Sequence, residues 1–185
     1  MGPAPSDAVK ETNDTRLFRV NVDSFSGAKK HLRPAHYNIY TDGSKTARGV
    51  GAGVAVYKNI RTVKDYSISL PGNSTYFMAE VAALAEAAKE MSASITQRRP
   101  TYVKIYSDSR AALQAVNSRY VESRVVLDAI MALNQLASKV KVTLVWVRAH
   151  VGTANKEWQL EWDNYPHARQ TKHFFQKLNP RKSKS

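Results

Sequence analysis

Two short segments of the chain end alike: NIYTDGS at 38–44 and KIYSDSR at 104–110. Each reads Ile-Tyr-hydroxyl-Asp, and each carries the β-branched and aromatic residues that suit a strand. Side chains alternate along a strand with a period of two. Tyr40 and Asp42 therefore share one face while Ile39 takes the other, and Tyr106, Asp108 and Ile105 repeat the arrangement. If the two strands are parallel neighbours, Asp42 and Asp108 emerge side by side at their carboxyl ends, where open α/β sheets place their chemistry. A third acid, Glu80, lies between them in sequence, in the alanine-rich stretch TYFMAEVAALAEAAKEM. Its neighbours Phe77, Val81, Leu84 and Ala87 mark a helix face that should be buried, so Glu80 borders the interior.

Three carboxylates that converge repel one another, and burial makes each charge more expensive still. A hard divalent cation relieves both costs, and a set of oxygen ligands alone suits Mg²⁺ or Mn²⁺. Each acid also has an ordinary structural reading. Asp-Gly is a hairpin-turn signal, Asp108-Ser109 is suited to cap a helix, and Glu is common in helices. What favours the metal reading is the set: the Tyr-x-Asp ending occurs twice, with a glycine-rich strand beside the first.

The surrounding pattern supplies elements to position these acids. Apolar runs at 37–42, 50–57 and 63–70 are separated by short loops, as in an antiparallel meander. Gly51 and Gly53 alternate with Ala52 and Val54, which leaves one face of the middle strand almost bare for the close approach of a helix or a ligand backbone. Pro71-Gly72-Asn73-Ser74 breaks the third strand and can cap a helix running from 75 to about 92. A strand at 102–108, a short helix in SRAALQAVNS, a helix over 123–139 and a strand over 140–150 follow. In the 123–139 segment the apolar positions 126, 127, 130, 133 and 136 keep a helical period. The order β-β-β-α-β-α-α-β predicts an α/β fold, a five-stranded mixed sheet flanked by helices.

Composition narrows the class. The chain has 185 residues, 43% of them hydrophobic, enough for one domain with a core. No apolar run approaches the ~20 residues of a membrane helix, and the first residues lack the apolar core of a secretory signal. These features lead us to expect an intracellular protein, nuclear or cytoplasmic, with no membrane partner. The absence of cysteine excludes disulfides and thiolate metal sites. Lys and Arg number 28 against 15 Asp and Glu, a net charge of +13 that points to a polyanionic partner such as nucleic acid. Part of the excess lies in residues 164–185, where Arg169, Lys172, Lys177, Arg181, Lys182 and Lys184 stand without an acid. Residues 1–35, polar and without period, read as a flexible leader; 36–157 as the domain; 158–185 as a basic and aromatic tail.

The motifs taken together resemble the type I ribonuclease H domain, in the form found at the end of non-LTR retrotransposon polyproteins. They are Asp42-Gly43-Ser44 with GVGAGVAVY, Ala79-Glu80-Val81-Ala82-Ala83, Tyr106-Ser107-Asp108-Ser109 and Trp146-Val147-Arg148-Ala149-His150-Val151-Gly152. The resemblance runs from about 36 to 157, with the motifs in the family's order. It implies the ribonuclease H-like fold and an endonuclease that cuts the RNA strand of RNA–DNA hybrids with two Mg²⁺ or Mn²⁺ ions, roughly 4 Å apart. Asp42, Glu80 and Asp108 would be the metal ligands. His150 would correspond to a mobile histidine that assists proton transfer or product release. Gly43, Ser44 and Ser109 would lie against the substrate, whose RNA strand is distinguished by its 2′-hydroxyls. The lineage also implies a reverse transcriptase module as a partner.

The far end departs from the family's pattern. There an Asn-Glu pair is followed, three residues beyond the Glu, by a fourth acid on a final helix. Here Asn155 and Glu157 resemble that pair with a residue between them, and Leu160 stands where the acid is expected. Glu157, Glu161 and Asp163 are the replacements at hand. If none serves, the expectation shifts to a weak nuclease, or to a relic that binds nucleic acid or a protein partner without cutting.

Overall fold

The computed structural model describes residues 15–22, 35–47, 49–58, 61–96 and 101–147. They form one mixed sheet with three helices. The strands are β1 (Arg19–Asn21), β2 (Tyr37–Thr46), β3 (Gly49–Lys58), β4 (Arg61–Leu70), β5 (Tyr102–Ser107) and β6 (Lys141–Trp146). The helices are α1 (Tyr76–Ser94), between β4 and β5, and then α2 (Arg110–Asn117) and α3 (Arg124–Ala137), between β5 and β6. Across the sheet the order is β1-β6-β5-β2-β3-β4. The β2–β3–β4 meander is antiparallel, whereas β2, β5, β6 and β1 run parallel.

The α/β class and the order of the expected elements hold, and two details change. The sheet has six strands rather than five, because Arg19–Asn21 pair with Thr143–Val145 at the edge. This segment belongs to the stretch expected to be a flexible leader, yet Phe18 is buried in the core. Arg16 donates to the carbonyls of Val116 and Ser118 at the end of α2, and Asn134 of α3 bonds Thr15 and Leu17. The second change concerns Asp42-Gly43. The pair forms no turn: β2 runs through it to Thr46, paired in register with β3 from Tyr37↔Lys58 to Thr46↔Gly49. Pairing along a whole strand outweighs the local turn preference of the two residues.

The alternation along β2 and β5 sorts the sheet into two faces. Ile39 and Ile105, with Val54, Val56 and Leu144, enter a core shared with Val81, Leu84, Leu113 and Leu133 of the helices. Each such aliphatic side chain contributes roughly 1.5–3 kcal/mol on burial. The positions of α3 singled out by their period, Val126, Leu127, Ile130, Leu133 and Leu136, are all buried. Tyr40, Ala55, Tyr57 and Tyr106 cluster on the opposite face. There Tyr40 stacks on Tyr106 at 4.8 Å between ring centroids and meets Tyr57 edge-on at 5.6 Å. The Tyr106 hydroxyl donates to Asn38 Oδ1, and Thr41 Oγ1 donates to the Tyr106 carbonyl, so β2 and β5 are braced just before the residues that carry the acids.

Candidate metal centre

The register of β2 with β5 ends at Thr41↔Ser107, so Asp42 and Asp108 each follow the last paired residue of adjacent parallel strands. This is the side-by-side placement expected from the repeated motif. Glu80 arrives from α1. Thr75 caps that helix, its side chain accepting from the Met78 amide at 3.1 Å, which puts Glu80 in the second turn.

Gly43 permits the final approach. A Cβ at this position would lie 2.5 Å from the Glu80 nitrogen and 2.8 Å from the Ala79 carbonyl carbon, both of them backbone atoms that cannot swing aside. Only a residue without a side chain lets the first turns of α1 rest on β2. The outcome is a cluster in which one carboxylate oxygen from each of Asp42, Glu80 and Asp108 lies within 4.8 Å of the others. Asp42 and Glu80 are each 1% exposed, and Asp108 is half-buried, so the cluster opens to solvent on its side.

The structural alternatives for these acids lose ground one by one. The cap of α2 is Ser109, whose hydroxyl accepts from the Ala112 amide at 3.2 Å, so capping does not account for Asp108. The turn reading of Asp42 fails with the continuity of β2. Glu80 is not a solvated helix residue, since both its oxygens are buried and accept no hydrogen bond among the described residues. Burial first, then the charges of Asp108 and Asp42, push the Glu80 carboxyl up to about 8. The Tyr76 hydroxyl and the Gly43 amide pull it weakly the other way from nearby, without closing a bond of good geometry. A buried carboxylate with unsatisfied oxygens and two like-charged neighbours is what a hard, oxygen-seeking divalent cation would relieve, and the donor set fits one.

The remaining site residues are placed unevenly. Gly43 is buried where β2 meets α1, Ser44 follows it half-buried, and Ser109 is occupied by its cap. His150 lies outside the described residues, as do Glu157, Glu161 and Asp163. Tyr76, not singled out by the motifs, stands at the rim of the cluster. The residue is 40% exposed, yet burial of its hydroxyl and the charges of Glu80, Asp42 and Asp108 raise its pKa. The i, i+4 spacing of Tyr76 and Glu80 on one helix face is the signal that could have found it.

The RNase H family model matches residues 34–159. The chain belongs to the RNase H family. Its RNase H domain is similar in fold to solved structures at low sequence identity. One is LC11-RNase H1, solved in complex with an RNA/DNA hybrid: 19% identity, TM-score 0.51, covering 60% of this chain and 85% of that one. Another is the N-terminal RNase H domain of a Mycobacterium tuberculosis protein, solved as a fusion with maltose-binding protein. It is 18% identical at a TM-score of 0.50, over 61% of this chain and 87% of that one. Among curated proteins no relative matches.

Proposed function

We propose that the protein is a divalent-cation-dependent endonuclease that hydrolyses the RNA strand of RNA–DNA hybrids. The observation that carries this reading is the convergence of Asp42, Glu80 and Asp108 within 4.8 Å, two of them buried, in a domain of the RNase H family. Structural similarity to an RNase H1 crystallised on an RNA/DNA hybrid supports the substrate class.

Asp42, Glu80 and Asp108 would hold Mg²⁺ or Mn²⁺, two ions in the full site, with Asp42 at the centre of the pair of ions. Bound there, the cations supply Lewis-acid polarisation of the scissile phosphate and the attacking water. The protein's own part is positional. The β2–β5 pairing fixes two carboxylates and Gly43 seats the third. Burial of Asp42 and Glu80 keeps water from competing for their oxygens, while the half-buried Asp108 marks the side from which the phosphate approaches. His150 is proposed to assist proton transfer or product release, and Gly43, Ser44 and Ser109 to lie along the RNA strand. Motif order supports a lineage with the domains that end non-LTR retrotransposon polyproteins, and with it a reverse transcriptase module as partner.

The test is cleavage of an end-labelled RNA strand, presented alone, in an RNA duplex and in an RNA–DNA hybrid, with Mg²⁺ or Mn²⁺. The expected result is cutting in the hybrid only, lost on chelation and in Asp42→Asn. Hybrid binding without cleavage in either metal contradicts the nuclease reading, and would favour a binding relic lacking the fourth acid.

A further inference from the structure

We infer that Arg110, held on the face of Trp146, is a phosphate-binding residue at the rim of the acid cluster. The inference rests on the nucleic-acid substrate proposed above and adds a contact outside the acids and their neighbouring glycine and serines. Trp146 ends β6 opposite Ser107 of β5, and its indole N–H donates to the Asp108 carbonyl at 3.2 Å. The ring is thereby fixed against the backbone of the third acid. Arg110, two residues beyond Asp108, rests its guanidinium 5.7 Å from the centre of that ring.

A cation–π contact with an aromatic face uses none of the guanidinium's N–H groups as hydrogen-bond donors, so they stay available to a bidentate anion. Among the described residues those donors are not spent on a carboxylate: Arg110 is exposed and takes no part in the ion pairs Lys64–Glu90, Lys89–Glu86 and Arg124–Asp128. Nor does helix stability explain the charge. Arg110 is the first residue of α2, where the helix dipole disfavours a cation. A polyanion approaching three clustered acids is repelled, and a cation fixed beside the entrance counters that repulsion. A backbone phosphate next to the one being cut supplies the matching chemistry.

The test compares wild type, Arg110→Ala and Arg110→Lys in the full chain. The Kd of a fluorescent hybrid is read by anisotropy over a salt series without divalent cation, and KM and kcat are read with Mn²⁺. In Arg110→Ala the Kd should rise about tenfold, the slope of log Kd against log salt should fall by about 0.9, one phosphate contact, and KM should suffer more than kcat. Arg110→Lys should restore the slope but only part of the affinity. Unchanged Kd and slope in an Arg110→Ala protein that melts like wild type overturns the inference, and does so whether or not hybrid is cut. A reduced slope without cleavage in wild type supports the phosphate contact while contradicting the nuclease reading, so the two failures are distinct.

Discussion

A carboxyl group pushed up to about 8 in the folded chain has a defined effect on stability. Below the ordinary glutamate range, Glu80 is protonated whether the chain is folded or not, and it costs nothing. As pH rises from about 4.5 towards about 8, the unfolded chain releases its proton while the folded one keeps it, so stability falls across that window. The metal-free protein should therefore melt progressively lower from pH 5 to pH 8. Glu80→Gln should flatten that decline and raise the melting temperature at pH 8, as followed by circular dichroism in chelator. Saturating Mn²⁺ should give wild type the opposite benefit and Glu80→Gln little. Gly43 offers a second residue-scale test. Gly43→Ala forces a Cβ into the backbone of α1, so it should destabilise by about 1–3 kcal/mol in urea unfolding. Its cation affinity should drop as well, because Glu80 is moved off Asp42.

At the scale of elements, the segment 15–22 is where sequence reasoning stopped short. A three-residue edge strand has no internal period to detect. Arg-Val-Asn becomes a strand only because β6 offers a parallel edge, a relation between positions more than a hundred residues apart. The same holds for Asp42-Gly43, whose local turn signal is overridden by pairing to β3. The long helices were legible because their signal is internal: alanine density in α1 and the apolar spacing of α3, every singled-out position of which is buried. The N-terminal strap ties α2 and α3 to the sheet, and α2 begins beside Asp108, so its loss should be felt at the acids. Phe18→Ala should destabilise the fold by about 3 kcal/mol, and Arg16→Ala, which frees two carbonyls at the end of α2, by about 1–2 kcal/mol. Denaturant unfolding of the two variants checks both values.

For the whole molecule, the site was legible to the extent that its members lay in repeated or ordered motifs. The twin Tyr-x-Asp endings and the acid in an apolar helix lead to Asp42, Glu80 and Asp108, which the fold brings together. The rim was not legible. Arg110 and Trp146 meet only because β6 lies beside β5, and Tyr76 sits outside every motif although one helical turn links it to Glu80. Charge acts at this scale too. With a net charge of +13, nucleic-acid affinity should weaken steeply with salt. Deleting 164–185, which removes six basic residues and no acid, should make the salt slope shallower in the same anisotropy measurement. The central claim is that three carboxylates form a cation site, and calorimetric titration of the purified chain with Mn²⁺ tests it most directly. Saturable binding in wild type that disappears in Asp42→Asn, with the fold intact by circular dichroism, is the expected result. Equal Mn²⁺ affinity in the two proteins would contradict it.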